Sequence, residues 1–263
     1  MITSEANQQI KEIIKLQKQP KYRHRTFQFV IEGLKMLSEA AESKCLKKLY
    51  ISGSVMEKAQ DMPKWLLEKY PYEIVSDRVF QKISDTVTTQ GILGIAELPE
   101  YNIETILEDN KHMWLLLDRM RDPGNLGTVL RTAEGAGMSA VIMGKGTVDL
   151  FNPKTIRSTM GAVFRMPFVY ADDLVDIIKR IKNNGYNVYG MAMRGSVIYD
   201  EPDYTKGAGI VIGSEADGLS ENIQEYISGA VRIPMEGRTE SLNAATAAAV
   251  VMYEAARQRR RKL

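Results

Sequence analysis

The feature that most restricts the fold of this chain is the regular alternation of short, apolar-rich strand patterns with helical patterns from Met113 onwards. A strand that reads as an uninterrupted apolar run is buried on both faces, as in a parallel sheet covered by helices. The predicted strands are MWLLLDRM, SAVIMG, FRMPFVY, YNVYGMAM, AGIVIGSE and VRIPM, and MWLLLDRM begins with such a continuous run. The sequence therefore predicts an α/β domain with a mostly parallel sheet that helices cover on both faces.

The first hundred residues alternate less regularly and predict a smaller α/β unit. Residues 1–18 read as an amphipathic helix that ends before Pro20. FQFVIEGLKMLSEAAES reads as a second helix, with Val30, Leu34 and Leu37 spaced for a core, and strands are expected at KKLYISGS, YEIVSD and GILGIAELPE. The predicted organisation is one domain at 1–100, a connection at 101–110 and a second domain at 111–263.

Composition excludes several kinds of protein. The single cysteine, Cys45, rules out an internal disulfide and a cysteine metal cluster, and the two histidines, His24 and His112, argue against a histidine zinc site. No apolar run reaches the roughly 18 to 20 residues that span a bilayer. The N-terminus lacks the apolar core of a signal peptide, so we expect a cytoplasmic protein.

Basic residues are concentrated at two places, although the net charge is only +2. The stretch KEIIKLQKQPKYRHR, residues 11–25, holds six basic residues against one acid, and the chain ends in RQRRRKL. Each run alone is typical of a solvated helix face or a frayed tail. Two such runs keep open an anionic partner such as a nucleic acid backbone.

Glycines and polar residues follow the predicted strands at their carboxyl ends, where open α/β sheets bind ligands. Four such segments are DRMRDPGNLGTVLRTA, MAMRGS, SEADGLS and EGRTESLN. No GxGxxG follows the first strand, and neither a P-loop nor a GxSxG sequence occurs. These absences weigh against a dinucleotide enzyme, a P-loop NTPase, a serine hydrolase and an ordinary Rossmann methyltransferase.

Three motifs of the second domain resemble, in order, those of the SpoU or TrmH-like RNA ribose 2′-O-methyltransferases of the SPOUT superfamily. They are NLGTVLRTAEGAG, IVIGSEADGLS and RIPMEGRTESLNAATAAAVVMYE. The resemblance runs from about Lys111 to the C-terminus. Upstream, FVIEGLKMLSEA and VSDRVFQKISDTVTTQGILGIAE resemble the L30e-like substrate-binding domain that precedes the catalytic domain in many members.

The resemblance implies a C-terminal deep trefoil knot that holds S-adenosylmethionine in a bent shape, a homodimer, and no metal. No metal is needed because the sulfonium is already an activated methyl donor. The enzyme has to align that methyl with a ribose oxygen and help the oxygen lose its proton. By resemblance, the catalytic residues are Asn125, Arg131, Glu215, Ser241 and Asn243. The cofactor pocket would contain Met191, Ala192, Gly213, Ile233, Met235 and Leu242, on the loops 191–196, 213–218 and 233–242.

By resemblance, Arg131 acts on the ribose 2′-hydroxyl. Arginine is effectively always protonated, so it is a poor base by itself. Either an RNA phosphate helps to position it, or its guanidinium stabilises the developing alkoxide electrostatically, and the sequence leaves both open. Asp118 and Asp122 are expected to be loop and capping residues.

The N-terminal domain is expected to capture RNA, with Lys18, Lys21, Arg23 and Arg25 as phosphate contacts. The extra domain resembles the arrangement of the large-subunit rRNA enzymes, which favours 23S-type ribosomal RNA over transfer RNA. Two further alternatives are a catalytically silent RNA-binding or ribosome-assembly protein, and a SPOUT enzyme that methylates a base. The intact motif residues argue against the first, and Arg131 favours the ribose over a base. The sequence does not identify the modified nucleotide.

Overall fold

The chain divides into two compact units in the computed structural model, which describes residues 1–58, 63–109, 112–192 and 197–260. The first unit comprises Met1–Pro99 together with Asp149–Phe164, and the second comprises Glu100–Val148 and Arg165–Leu263. The segment 149–164 thus packs with the first unit, although the sequence assigns it to the second domain. The functional boundaries of the two domains stay a prediction.

Helices and strands alternate along most of the chain. Numbered in chain order, the helices are α1 Gln8–Lys18, α2 Pro20–Thr26, α3 Leu34–Glu42, α4 Gly53–Glu57, α5 Lys64–Lys69, α6 Asp77–Ile83, α7 Ile103–Leu107, α8 Pro123–Ala136, α9 Pro153–Thr159, α10 Leu174–Asn183, α11 Glu221–Gln224 and α12 Ala244–Arg260. The strands are β1 Gln28–Glu32, β2 Leu46–Ser52, β3 Tyr72–Val75, β4 Ile92–Glu97, β5 Met113–Leu117, β6 Ala140–Gly144, β7 Phe168–Ala171, β8 Asn187–Met191, β9 Val197–Ile198, β10 Ala208–Ile212 and β11 Gly229–Arg232. Within the described ranges, no helix is long and apolar enough to cross a membrane.

In the first unit, the described residues form a four-stranded sheet of order β1-β4-β2-β3. β4 runs antiparallel to β1 and β2, and β3 joins β2 in parallel. Helices α1 and α6 pack together on this sheet and bury Ile10, Ile13, Leu16, Val79 and Phe80. The apolar stripe of α1 therefore faces the core, as its amphipathic pattern predicts, but the helix begins at Gln8 and not at residue 1.

The predicted helix across FQFVIEGLKMLSEAAES is wrong in its first half. Residues Gln28–Glu32 form strand β1, and helix α3 begins only at Leu34. Phe29, Val30 and Ile31 are consecutive and all buried, which a strand covered on both faces allows. Gly33 then takes a φ of +92°, a conformation open to glycine that separates the strand from the helix.

The segment 149–164 covers the face of β1 that carries Phe29. The Phe29 ring lies 4.9 Å from that of Phe151 and 5.9 Å from that of Phe164, measured between centroids. Helix α9 of the same segment lies against β1. The core of the first unit therefore includes residues that are distant in sequence.

Arg23 also binds this segment, so its predicted role as a phosphate contact is wrong. Only 1% of its side chain is exposed. Its Nε donates to Asp149 Oδ2 at 3.0 Å, Nη2 pairs with the same oxygen, and Nη1 donates to the carbonyls of Leu16 and Gln17. A buried charge is tolerated when it is paired and hydrogen-bonded in this way, and a side chain that is 1% exposed presents no surface to RNA.

In the second unit, the described residues form a seven-stranded sheet of order β7-β6-β5-β10-β8-β11-β9. Every neighbouring pair in it is parallel. The central strands β5, β6 and β10 are buried along their whole length. Helix α10 covers one face through Leu174, Ile177 and Ile178, while α8 packs against β6 and α12. The predicted parallel α/β sheet is confirmed.

Strand β11 lies between β8 and β9, although β8 and β9 are near neighbours along the chain. Met191 of β8 and Val197 of β9 both pair with Val231. The chain is therefore on one side of β11 at Met191 and on its other side at Val197. Residues 193–196 lie outside the described part of the chain. Beyond β11 the chain enters α12.

We expect Arg23→Ala to destabilise the first unit by about 3 kcal/mol, because Asp149 keeps a largely buried carboxylate without its cation. Replacing both residues with Leu should recover much of that loss, since no charge is then buried. Urea unfolding followed by circular dichroism measures both effects. Arg25→Ala, at an exposed position two residues along, is the control and should change stability by less than about 0.5 kcal/mol. Equal losses at Arg23 and Arg25 would contradict the buried pair.

Candidate active site

The adjacent strands β5, β10, β8 and β11 are parallel, so the loops after them meet at one edge of the sheet. The loop after β5 is Asp118–Asp122, and the loop after β10 begins at Gly213. Ala192 follows β8, and residues 233–243 connect β11 to α12. These are the segments in which the sequence predicts the active site.

A chain of side-chain hydrogen bonds joins one residue from each of the three motifs. The amide nitrogen of Asn125 donates to Glu215 Oε1 at 2.9 Å, and its amide oxygen accepts from Asn243 Nδ2 at 3.0 Å. Asn243 in turn caps α12, because its Oδ1 accepts from the backbone N–H groups of Ala245 and Thr246. The three loops are therefore held together by specific polar contacts.

The Glu215 carboxylate ties the loop after β10 to the loop after β5. It accepts from the backbone N–H groups of Arg121 and Asp122 at 3.2 and 3.3 Å. Partial desolvation raises the pKa of Glu215, but hydrogen bonds from Asn125 and from the backbone N–H groups of Glu215, Arg121 and Asp122 outweigh it and hold the pKa below its ordinary value. Glu215 is therefore ionised at neutral pH and is a weak base.

Asp118 and Asp122 act as loop and capping residues, as expected. Asp122 caps α8 by accepting from the Asn125 backbone N–H at 2.7 Å. Asp118 is buried and accepts from the Ser220 backbone N–H at 2.7 Å and from Arg119 Nε at 3.1 Å. Both carboxylates thus fix the backbone around the site.

Arg119 stabilises the turn after β10. The sequence analysis did not identify this residue. Its guanidinium lies 3.6 Å from the Asp217 carboxylate and 3.5 Å from the Gly218 carbonyl oxygen. Ser214 and Gly218 close the turn through reciprocal backbone hydrogen bonds of 3.0 Å. Glycine is required at 213, because a Cβ there would lie 2.2 Å from the Gly218 carbonyl carbon. The position of Arg119, two residues after the end of the buried strand β5, is the signal that could have found it.

The predicted cofactor contacts other than Gly213 are half-buried apolar side chains at the same edge: Met191, Ala192, Ile233, Met235 and Leu242. The Ala192 backbone N–H donates to the Val231 carbonyl at 3.0 Å, which holds the end of β8 against β11. Apolar side chains beside backbone polar groups suit a ligand that is partly apolar and partly polar, as S-adenosylmethionine is. The remainder of the predicted loop 191–196, residues 193–196, lies outside the described residues.

Arg131 and Ser241 stand outside the hydrogen-bond network. Both are exposed, Arg131 on α8 and Ser241 in the loop before α12. Within the described part of the chain, the Arg131 guanidinium has no hydrogen bond or ion pair. Arg131 follows Asn125 by six residues, which is about 9 Å along a helix axis. Its charge is therefore free to meet a group from outside this network.

The predicted phosphate contacts other than Arg23 lie on the surface of the first unit. Lys18 is at the end of α1, and Lys21 and Arg25 are on α2, all exposed. The Arg25 guanidinium carbon lies 5.1 Å from the centroid of the Tyr22 ring. These three side chains present positive charge to solvent.

Two family models match the chain in separate parts. The SpoU rRNA Methylase family matches residues 112–253, and the MRM3-like substrate binding domain matches residues 7–94. The chain is also similar to the 23S rRNA (guanosine(2553)-2′-O)-methyltransferase RlmP of Bacillus subtilis, at 33% identity over 96% of this chain and 97% of that protein.

Solved structures of similar fold include the SpoU methyltransferase AviRb from Streptomyces viridochromogenes in complex with the cofactor AdoMet. It has a TM-score of 0.86 and 26% identity, and the match covers 96% of this chain and 98% of that chain. An AdoMet-bound rRNA methyltransferase from Sinorhizobium meliloti has a TM-score of 0.84 and 32% identity, with 97% of each chain covered. The chain belongs to the SpoU rRNA methylase family. The predicted class, an S-adenosylmethionine-dependent RNA 2′-O-methyltransferase, is thereby confirmed.

We expect Asn125→Ala to raise the pKa of Glu215 towards its ordinary value, because a side-chain donor to the carboxylate is lost. A carboxyl whose folded pKa is lowered contributes stability above its unfolded pKa, and this contribution is lost as the pH falls through the folded pKa. The variant should therefore unfold at lower urea than the wild type at neutral pH. The difference should shrink as the pH falls below the ordinary value of 4.5.

Thr128→Ala is the matched control, since Thr128 is exposed on the same helix. It should change neither the urea midpoint nor its dependence on pH. An NMR titration of the glutamate side-chain carboxyls measures the pKa of Glu215 directly in the wild type and in Asn125→Ala. A stability difference that is the same at every pH would contradict the assigned network.

Proposed function

We propose that this chain methylates the 2′-hydroxyl of a ribose in ribosomal RNA, with S-adenosylmethionine as the methyl donor. The hydrogen-bond chain Glu215–Asn125–Asn243, which brings the three motifs into one site, carries the proposal. Membership of the SpoU rRNA methylase family supports ribosomal RNA as the substrate, as does similarity along the chain to an enzyme named for 2′-O-methylation of 23S rRNA.

The cofactor site of the proposal lies at the carboxyl edge of β8, β10 and β11. Met191, Ala192, Ile233, Met235 and Leu242 would surround the apolar parts of the ligand, and Gly213 would let backbone groups approach it. When bound, S-adenosylmethionine supplies an activated methyl group. The protein holds the ribose oxygen in line with that methyl.

Arg131 is the residue that we assign to the 2′-hydroxyl. Its guanidinium stays charged at neutral pH and can stabilise negative charge that develops on the ribose oxygen. Glu215 is unsuited to be the general base, because its carboxylate accepts hydrogen bonds at both oxygens and its pKa is lowered. In the proposal Glu215, Asn125 and Asn243 position the loops, and Ser241, in the loop before α12, lies beside the ligand.

A knotted C-terminus is part of the proposal. β11 runs between β8 and β9, which follow each other in the chain and lie on opposite sides of it. Beyond β11 the chain continues into α12, which packs along α8 with Ala245 and Ala248 buried. This path supports threading of the C-terminal segment through the β8–β9 connection, an arrangement that few folds adopt.

A homodimer with shared active sites is also part of the proposal. Arg131 is exposed and lies outside the network formed by its own chain. Tyr253 on α12 is 46% exposed, and its hydroxyl lies 3.0 Å from the position that a Cβ on Gly135 of α8 would take. A second copy against α8 and α12 would cover this tyrosine and bring Arg131 to the partner's ligand.

The cytoplasmic location stays a prediction, which cell fractionation checks.

RNA capture is assigned to the first unit, which contains the match to a substrate binding domain. Lys18, Lys21 and Arg25 are the proposed phosphate contacts. Contacts of this kind release counterions, so the affinity should fall as salt rises. They position RNA without reading its bases.

The experiment that tests the function is incubation of the purified protein with labelled S-adenosylmethionine and protein-free ribosomal RNA, followed by digestion to nucleosides. We expect a 2′-O-methylated nucleoside, and mapping in cells with and without the gene then gives its position. A methylated base would indicate a base-modifying enzyme. Methyl transfer to transfer RNA alone would show that transfer RNA, and not ribosomal RNA, is the substrate. RNA binding without methyl transfer would indicate a silent assembly protein.

We expect Arg131→Ala to bind S-adenosylmethionine normally in calorimetry and to lose methyl transfer by about 100-fold, the effect of removing one stabilising donor from a developing oxyanion. Arg131→Lys keeps the positive charge and should retain part of the activity. Thr128→Ala, on the same helix, is the control and should retain all of it. Unchanged turnover in Arg131→Ala would remove Arg131 from the mechanism.

Mixing two inactive variants tests whether Arg131 acts in the partner's site. Gly213→Ala should lose cofactor binding, because its Cβ would overlap Gly218. In mixed dimers, the Gly213→Ala copy would supply Arg131 to the intact pocket of the Arg131→Ala copy, so activity should reappear. Failure to complement, with both variants dimeric by light scattering, would contradict shared sites.

A further inference from the structure

An exposed phenylalanine stands next to the basic surface of α2. Phe27 follows α2 directly, and 56% of it is exposed. The exposed residues Lys21, His24 and Arg25 follow i, i+3, i+4 spacing, which places them on one face of this helix. A large aromatic side chain and a set of cations are therefore presented together at the end of α2.

The backbone of Phe27 holds this side chain in place in a conformation that bulky residues rarely adopt. Its φ and ψ are 53° and 36°, in the left-handed region. The Phe27 N–H donates to the Arg23 carbonyl, and the Phe27 carbonyl accepts from the Leu98 N–H at 3.0 Å. Glycine could make the same backbone bonds without the steric cost, so the fold itself does not require the phenyl ring.

Tyr22 orders two of the neighbouring cations. Arg25 Cζ lies 5.1 Å and Lys15 Nζ lies 5.6 Å from the centroid of its ring, within the range of a cation–π contact. The Tyr22 ring also packs against the apolar core of the unit, so it is a fixed support. Arg23 points inwards and is neutralised by Asp149, which leaves the outward charge of this surface to its lysines and Arg25.

We infer that Phe27 stacks on an unpaired RNA base while Lys15, Lys18, Lys21 and Arg25 hold the flanking phosphates. This inference rests on the proposed function for RNA as the partner, and it adds that the surface binds single-stranded nucleotides. A base inside a duplex is already stacked on both sides, whereas an unpaired base offers a free face to an aromatic ring. Stacking accepts any base, so this surface places RNA without selecting its sequence.

The test uses a short oligouridine that carries one 2-aminopurine, and the duplex of the same strand with its complement, at several salt concentrations. Phe27→Gly should weaken single-strand binding about tenfold, within the range measured for one stacked base. It should leave the salt dependence unchanged, because no charge is removed, whereas Arg25→Ala should make it shallower. Phe27→Tyr should keep the affinity. Binding should change the 2-aminopurine fluorescence with the wild type and Phe27→Tyr, but not with Phe27→Gly.

Stability and a second aromatic residue provide the controls. Phe27→Gly should unfold at the same temperature as the wild type or higher, since it relieves the left-handed backbone. Trp65→Ala, which alters another exposed aromatic residue of the same unit, should leave RNA affinity unchanged. The inference would be overturned if Phe27→Gly bound the single strand as tightly as the wild type, or if Trp65→Ala lost as much affinity as Phe27→Gly. It would also be overturned if the wild type bound the duplex as tightly as the single strand and Phe27→Gly weakened both equally. A wild-type protein that methylates ribosomal RNA while Phe27→Gly binds RNA normally would refute the stacking and leave the proposed function standing.

Discussion

The side-chain amide of Asn125 is the connection on which the edge of the parallel sheet depends. One amide offers a donor and an acceptor, and here the NH2 group meets Glu215 while the oxygen meets Asn243. An aspartate could not donate to Glu215, and an apolar residue could contact neither neighbour in this way. Glu215 and Asn243 are themselves fixed, by the backbone after β5 and by the first turn of α12. Three loops from distant parts of the chain are thereby ordered with few side chains.

The second sheet was predictable because burial on both faces leaves continuous apolar runs in its central strands. β5, β6 and β10 are continuous apolar runs, and such a run has few alternatives in a globular domain. The site within that sheet was predicted in a different way, from the resemblance of three motifs to a family. Periodicity alone gives neither the order of the strands nor the position of β11 between β8 and β9.

Where prediction failed, the deciding contacts come from far along the chain. The spacing of Val30, Leu34 and Leu37 fits a helix, yet β1 is a strand whose Phe29 packs against Phe151 and Phe164. Arg23 and Arg25 look equivalent in a basic run. Asp149 makes them different, because its carboxylate stabilises one guanidinium inside the unit and leaves the other in solvent. The local sequence shows that both side chains are charged, but not that one points into the unit and the other into solvent.

Two residues in left-handed backbone conformations show how strain can be interpreted. Arg119 has a φ of 60°, and its side chain contacts Asp118, Asp217 and Gly218, so the conformation is stabilised by what the side chain does inside the protein. Phe27 has a φ of 53°, but within the described residues its ring makes no aromatic or cation contact. A strained backbone conformation persists only where the surrounding contacts hold it in place. At Arg119 those surroundings include the side chain's own partners, whereas the hydrogen bonds that hold Phe27 are made by its backbone. The proposed stacking on an unpaired base would use a ring that the fold holds outwards, beside cations and at a conformational cost.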